Sequence, residues 1–182
     1  MIGIIEKVLC NLILQHADEK TLRLIYQKAG IEEDRVFETN QYYDEAEFRR
    51  FLSATLKTLG LDVDTALTLY ADAFFKYTKA LYPSWYAMVN TAKEFLQLQV
   101  KIHDGFGHSL NDLEKSQRLM KKIKVDTNGN GLMVTYCSEN RLCGLYIKLA
   151  ERVGEHYGDK PTLTHEKCMH KGAEECVINV DW

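Results

Sequence analysis

The sequence predicts an α+β fold in which helices come first and a small antiparallel sheet with one long helix follows. Three observations predict it. Apolar residues recur at three-to-four spacing through the first two thirds of the chain. That pattern breaks after about Asp112. The turn-forming run Asp126-Thr-Asn-Gly-Asn-Gly131 then separates two short β-prone segments. A chain of 182 residues suffices for one ordinary core, so we read a single domain over 1–182, helical over about 1–112 and sheet plus helix over about 113–182.

The first helix is carried by Ile4, Ile5, Val8, Leu9, Leu12 and Ile13, and the second by Leu22, Ile25, Tyr26 and Ala29 before Gly30. Asp44 with Glu47 three residues on is a capping-box-like start for a third, which runs from Phe48 through Phe51 and Leu56 to Gly60. Asp62 opens a fourth that bears Leu69, Tyr70, Phe74 and Tyr77. Pro83 separates it from a fifth, expected to begin near Ser84 and to run through Phe95, Leu98 and Ile102. Short joints between these helices favour a bundle-like lobe. Beyond it, Leu119–Val125 and Leu132–Tyr136 read as a β-hairpin, Leu142–Tyr157 as a sixth helix, and Thr162–Thr164 and Val177–Val180 as short extended runs.

Composition narrows the function. Apolar residues make up 46% and the formal charge is −3, which argues against disorder and against a polyanionic partner such as nucleic acid. The apolar run Met1 to Leu14 is interrupted by Glu6, Lys7 and Asn11, and no small-residue cleavage site follows it. It reads as a buried amphipathic helix rather than a signal or membrane segment, so a soluble cytoplasmic protein is expected. Neither a nucleophile elbow nor a phosphate-cradling glycine loop is present, and the expectation is not an enzyme.

Three of the five cysteines stand with a histidine in the spacing C-x21-H-x2-C-x7-C: Cys143, His165, Cys168 and Cys176. That donor set suits a closed tetrahedral zinc site with no position open to water or substrate. The bland alternative is scattered buried cysteines acting as small hydrophobes. Disulfides fit poorly with an odd count. Asp126, Asn128, Asn130 and Gly131 imitate the start of a calcium loop, but Cys137 stands where the bidentate carboxylate is needed, so calcium is rejected. His103 has Ile102, Phe106 and Leu110 as apolar neighbours, which turns its ring toward the core side of its helix. A histidine there is commonly a satisfied core residue, yet a neutral imidazole is also a haem-iron ligand. Tyr136, Ser138 and Arg141 suit a dianionic carboxylate partner, the alternative being a strand end at which Ser138 caps the next helix.

The opening Met1-Ile-Gly-Ile-Ile, Asp34-Arg35-Val36, Phe74-Phe75-Lys76-Tyr77, the His103 helix, Tyr136-x-Ser138 and the Cys/His quartet together resemble the haem nitric oxide/oxygen binding (H-NOX) family, related to the haem domain of soluble guanylate cyclase. The resemblance runs from end to end. It implies a helical distal lobe and an α/β proximal lobe with one haem b between them. It makes His103 the proximal iron ligand, with His108 in reserve, and Tyr136, Ser138 and an arginine the holders of the propionates. The quartet resembles the zinc site of a bacterial stand-alone subset, with His170 as reserve ligand. The family motif is Y-x-S-x-R. Here Asn140 stands in the arginine place and Arg141 follows, so Arg141 is taken as the propionate partner. The proline that family members often carry after the proximal helix is missing, since the chain's only prolines are Pro83 and Pro161, and a less distorted haem is expected.

In oxygen-binding members a tyrosine stands on the helix after the motif. Ungapped alignment from Tyr136 puts Leu145 there, whereas a one-residue slip puts Tyr146 there. With Ile5, Leu9 and Phe74 as the other distal positions, the expectation is a haem-based sensor of nitric oxide that also binds CO. Its partner would be a separate signalling protein, a histidine kinase or a cyclic-di-GMP enzyme, because no output domain is fused. The alternatives are a haem-independent zinc/thiol redox sensor and a structural, zinc-stapled interaction domain.

Overall fold

Aspartates start the early helices. The Asp18 carboxylate accepts the Thr21 amide at 2.8 Å, Asp44 accepts Ala46 and Glu47 at 2.7 and 3.0 Å, and Asp62 accepts Thr65 at 2.9 Å. Each satisfies amide donors that a helix start leaves without an intrahelical acceptor. In this computed structural model, which describes residues 2–182, they open α2 (Glu19–Ala29), α3 (Glu45–Leu59) and α4 (Val63–Leu81), while α1 (Ile4–His16) starts after Gly3 with no side-chain cap. Met1, part of the opening motif, lies outside the described residues. Gly30 and Gly60 take φ of 69° and 65°, the left-handed region that ends α2 and α3 where the sequence predicts.

The contacts divide the chain into two compact units, one reaching to Phe74 and the other Phe75–Trp182. The first unit is built on an aromatic cluster. Phe51, wholly buried, meets Tyr26 edge-on at 5.4 Å and stacks on Phe37 at 6.0 Å, and Phe37 meets Tyr43 at 4.9 Å. Tyr26 and Cys10 share a hydrogen bond of 3.0 Å that ties α2 to α1. The Tyr70 hydroxyl of α4 donates to the Ile5 carbonyl at 2.8 Å, and Phe74 stacks on Tyr70 at 6.0 Å.

The second unit departs from the expected outline twice. The predicted fifth helix is two, α5 (Pro83–Ala87) and α6 (Ala92–His108). A reciprocal cap at Asn90-Thr91 separates them: the Thr91 hydroxyl accepts the Glu94 amide at 3.2 Å and the Glu94 carboxylate accepts the Asn90 amide at 2.8 Å. The segment from Leu119, predicted as strand, begins as the end of a further helix, α7 (Leu113–Met120), capped by Asp112 on the Lys115 amide at 3.1 Å. Ser116 and Leu119, three apart, are its buried side.

Strands β1 (Ile123–Asn128) and β2 (Gly131–Tyr136) form the predicted hairpin, with Ile123 opposite Tyr136. After α8 (Cys143–Tyr157), β3 (Thr162–Lys167) and β4 (Cys176–Asp181) complete an antiparallel sheet of order β1-β2-β4-β3. Leu132, Val134, Ile178 and Val180 of the sheet share one core with Phe95 and Leu96 of α6 and Ala150 and Val153 of α8. Full burial of such side chains contributes about 1.5–3 kcal/mol each, which sets α6 and α8 firmly on the sheet. Among the described residues no helix is long and apolar enough to cross a membrane.

Candidate haem and metal sites

α6 carries His103 half-buried and His108 exposed at its last turn. The His103 Nδ1 lies 2.8 Å from the Gln99 carbonyl oxygen. A carbonyl only accepts, so Nδ1 bears the proton and Nε2 keeps its lone pair. This is how protein-bound iron and zinc ligands are commonly oriented. Burial lowers the pKa of His103 below its ordinary value, so the ring is neutral near pH 7. Both features fit an axial metal ligand. No such bond is found for His108 among the described residues.

α6 is held close to α7. A Cβ added at Gly107 would run into the Met120 side chain and lie 3.2 Å from the Ser116 carbonyl, so glycine is what permits the approach.

The β2–α8 connection gathers the proposed propionate group, but differently from a regular Y-x-S-x-R strand end. Tyr136, Ser138 and Asn140 are buried, while Arg141 is exposed. The Tyr136 hydroxyl accepts the Leu142 amide at 3.2 Å and thereby caps the approach to α8. The Ser138 hydroxyl accepts the Asn140 amide at 3.4 Å, and its carbonyl accepts the Arg141 amide at 3.0 Å. Arg141 has φ of 50°, the only positive value among the described non-glycine residues. A left-handed arginine costs about 1 kcal/mol, and it is this residue that turns the chain into α8 with Asn140 inside and the guanidinium out.

The residues expected at the distal side are taken unit by unit. In the first, Leu9 is buried and Ile5 and Phe74 are half-buried. In the second, Leu145 and Tyr146 are both 5% exposed. The Tyr146 hydroxyl has no hydrogen-bond partner among the described residues, and burial raises its pKa, so it stays protonated. Sequence spacing leaves Leu145 and Tyr146 as rivals; the orphaned hydroxyl is the feature only the structure supplies.

Four further side chains converge at the same end of the sheet, where Cys176 pairs with Tyr136. Cys143 opens α8, His165 lies on β3 beside a bulge, Cys168 precedes a 3-10 turn over Met169–Lys171, and Cys176 starts β4. Their ligand atoms all lie within 4.8 Å of one another. Zinc–sulfur bonds of about 2.3 Å in a tetrahedron put ligands roughly 3.8 Å apart, so an ion needs the group to close by about 1 Å. The donor chemistry fits zinc. The Met169 amide donates to the Cys176 sulfur at 3.3 Å, which supports thiolate character. Burial pushes the Cys143 thiol up to about 12, with Cys176 and Cys168 adding to it. Burial also opposes ionisation of Cys168, but the His170 amide and the thiols of Cys143 and Cys176 outweigh it and lower that pKa. Burial, then Lys171 and His170, hold the His165 imidazole toward its neutral form. His170, the reserve ligand, is outside the quartet and donates from Nε2 to the Arg141 carbonyl at 2.8 Å.

A helical first part, a four-stranded antiparallel sheet and a neutral histidine presented from α6 define the class, and comparison with known proteins agrees. The model of the haem-NO-binding family matches residues 2–165, so the chain belongs to that family, the H-NOX domains. It is 33% identical over 107 residues to the soluble guanylate cyclase gcy-37 of Caenorhabditis elegans, a match that covers 57% of this chain and 15% of that relative. The fold matches that of an H-NOX protein from S. oneidensis, described in an Fe(II)NO ligation state, with a TM-score of 0.77 at 19% identity, over 100% of this chain and 98% of that one. It also matches an oxygen-binding H-NOX domain related to soluble guanylate cyclases, with a TM-score of 0.73 at 14% identity, over 100% and 94%.

Proposed function

We propose that this domain senses nitric oxide at a haem b held by His103 and reports it to a separate signalling chain. The observation that carries this reading is the Nδ1–H bond of His103 to Gln99, which orients a neutral ring with Nε2 available to iron. Haem bound there supplies a ferrous iron that takes a diatomic gas. Tyr136, Ser138 and Arg141 hold the propionates, with Arg141 preferred over Asn140 because a neutral amide does not replace a guanidinium. Leu145, at the place where oxygen-binding members of the family carry a tyrosine, is apolar and gives bound O₂ no donor, which favours NO and CO as ligands. α6, gripped by α7 through Gly107 and Met120, carries a displacement of His103 to the exposed residues of α7. The domain acts as a cytoplasmic sensor and not as a catalyst. By resemblance to the bacterial members with this quartet, its partner is a histidine kinase or a cyclic-di-GMP enzyme. Cys143, His165, Cys168 and Cys176 hold one zinc ion, as a staple or as a thiol switch.

A second reading, an oxygen sensor, is favoured by one observation: the buried Tyr146 hydroxyl without a partner. Leu145 and Tyr146 are successive, about 100° apart around the helix, so only one of them faces a bound gas. Exposure of the ferrous protein to air separates the readings. Slow oxidation with no stable oxy spectrum, alongside stable NO and CO complexes, supports nitric oxide sensing. A persistent oxy species that is lost in Tyr146→Phe supports the oxygen sensor instead.

A further inference from the structure

The acidic edge of haem b carries a pair of carboxylates, and charge-assisted donors hold such groups best. In the β2–α8 connection the family's arginine place holds Asn140, a buried neutral amide, and the Arg141 guanidinium is exposed. One cation nearby is turned inward instead. Lys122 is 8% exposed, and among the described residues no other lysine or arginine is buried. The burial is specific to this position in the run Lys121-Lys122-Ile123-Lys124, since Lys121 and Lys124 are exposed. Taking a lysine out of water is costly without an anion for it to serve.

Backbone bonding fixes Lys122 beside the residues on which the haem reading relies. α7 ends at Met120, and the Lys122 amide donates back to the Leu119 carbonyl at 3.3 Å, so the residue sits in the turn that leads into β1. Its own carbonyl accepts the Cys137 amide at 3.0 Å, and the next residue, Ile123, lies opposite Tyr136. Lys122 therefore flanks the segment Tyr136-Cys137-Ser138. α6, the helix of His103, packs on both α7 and β1, the two elements that Lys122 joins. Burial is the main cause of the lowered His103 pKa, and the Lys122 charge adds to it, which puts the ammonium within electrostatic range of the ring.

Lys122 already has an interaction within the chain. An ammonium carries three donors, so it serves an anion as well. A carboxylate also gains more from a cation in low-dielectric surroundings than from one in water. Resting on the haem reading given above, we propose that Lys122 is a propionate-binding residue, the buried cation that takes the part left open by Asn140, with Arg141 serving from the exposed side.

Esterifying the porphyrin tests this. The full chain is reconstituted with haem b or with its dimethyl ester, in which the propionates carry no charge. The rate of ferric haem loss to an excess of a haem-scavenging protein is then followed at the Soret band. With haem b, Lys122→Gln is expected to lose haem at least about tenfold faster than the parent, as for a lost hydrogen bond to a charged group. With the dimethyl ester the same substitution should change the rate by less than about twofold, because the charge that it pairs with is gone. Lys121→Gln, which removes an exposed neighbouring charge, should match the parent with both porphyrins. If Lys122→Gln does not fold, Lys122→Met, apolar and of similar length, takes its place. Three results overturn the proposal: equal acceleration with both porphyrins, which marks a merely structural role; the parental rate with haem b; or the same acceleration in Lys121→Gln. A parent that takes up neither porphyrin overturns the haem reading itself, and this assignment with it.

Discussion

Replacing Tyr146 by phenylalanine removes a single oxygen from a residue 5% exposed, at a point where it has no partner among the described residues. A buried hydroxyl left without a hydrogen bond costs about 1–3 kcal/mol, and a replacement of the same shape recovers that cost. In a chain of this size each kcal/mol moves the melting temperature by about 2–4 °C. The haem-free Tyr146→Phe protein is therefore expected to melt about 2–12 °C higher than the parent, with an unchanged urea m-value. Thermal scans and urea titrations of the two haem-free proteins measure this directly. An equal or lower melting temperature would refute the reasoning, because it would mean that the hydroxyl is satisfied in the folded chain. The ferrous proteins then show whether the hydroxyl, costly in the unliganded fold, is kept for contact with a gas.

Three other outcomes follow from the geometry. Zinc content of about one per chain should fall to background in a Cys168→Ser, Cys176→Ser double variant, and peroxide should release the metal from the parent in step with thiol loss; unchanged zinc in the variant rules the quartet out. Gly107→Val should destabilise the protein by about 1–3 kcal/mol by driving α6 from α7, and Met120→Ala should recover most of that loss; no recovery means the clash lies elsewhere. The His103 pKa is lowered in the fold, so the unfolded chain takes up its proton first as pH falls and stability drops from above pH 6.5 downward, levelling off below the folded pKa. Urea midpoints of haem-free protein should show a shallower drop in His103→Gln, and an identical profile contradicts the assignment.

What the sequence made legible was local. Asp18, Asp44 and Asp62 are short side chains that bond amides two or three residues on, and Gly30 and Gly60 stop their helices by backbone freedom, so the starts of α2 to α4 and the ends of α2 and α3 could be read without tertiary knowledge. The break before α6 was missed because Asn90-Thr91 carries neither proline nor glycine, and only the reciprocal bond to Glu94 marks it. Leu-Met-Lys-Lys-Ile-Lys-Val over 119–125 mixes apolar and charged residues in a way that suits either a helix end or a strand, and the Asp112 cap decides it. The quartet was visible because its spacing is itself the signal. The left-handed Arg141 was not, since no local rule calls for an arginine there, and it changes which of Asn140 and Arg141 is buried.

The claim on which the functional reading turns is that His103, and not His108, holds the haem. The Soret band of His103→Ala and His108→Ala, each purified with and without imidazole, measures it most directly. The account predicts that His103→Ala loses its haem or retains it only with added imidazole, whose nitrogen takes the place of Nε2, while His108→Ala keeps the parental spectrum. Haem loss in His108→Ala with a normal spectrum in His103→Ala would contradict it.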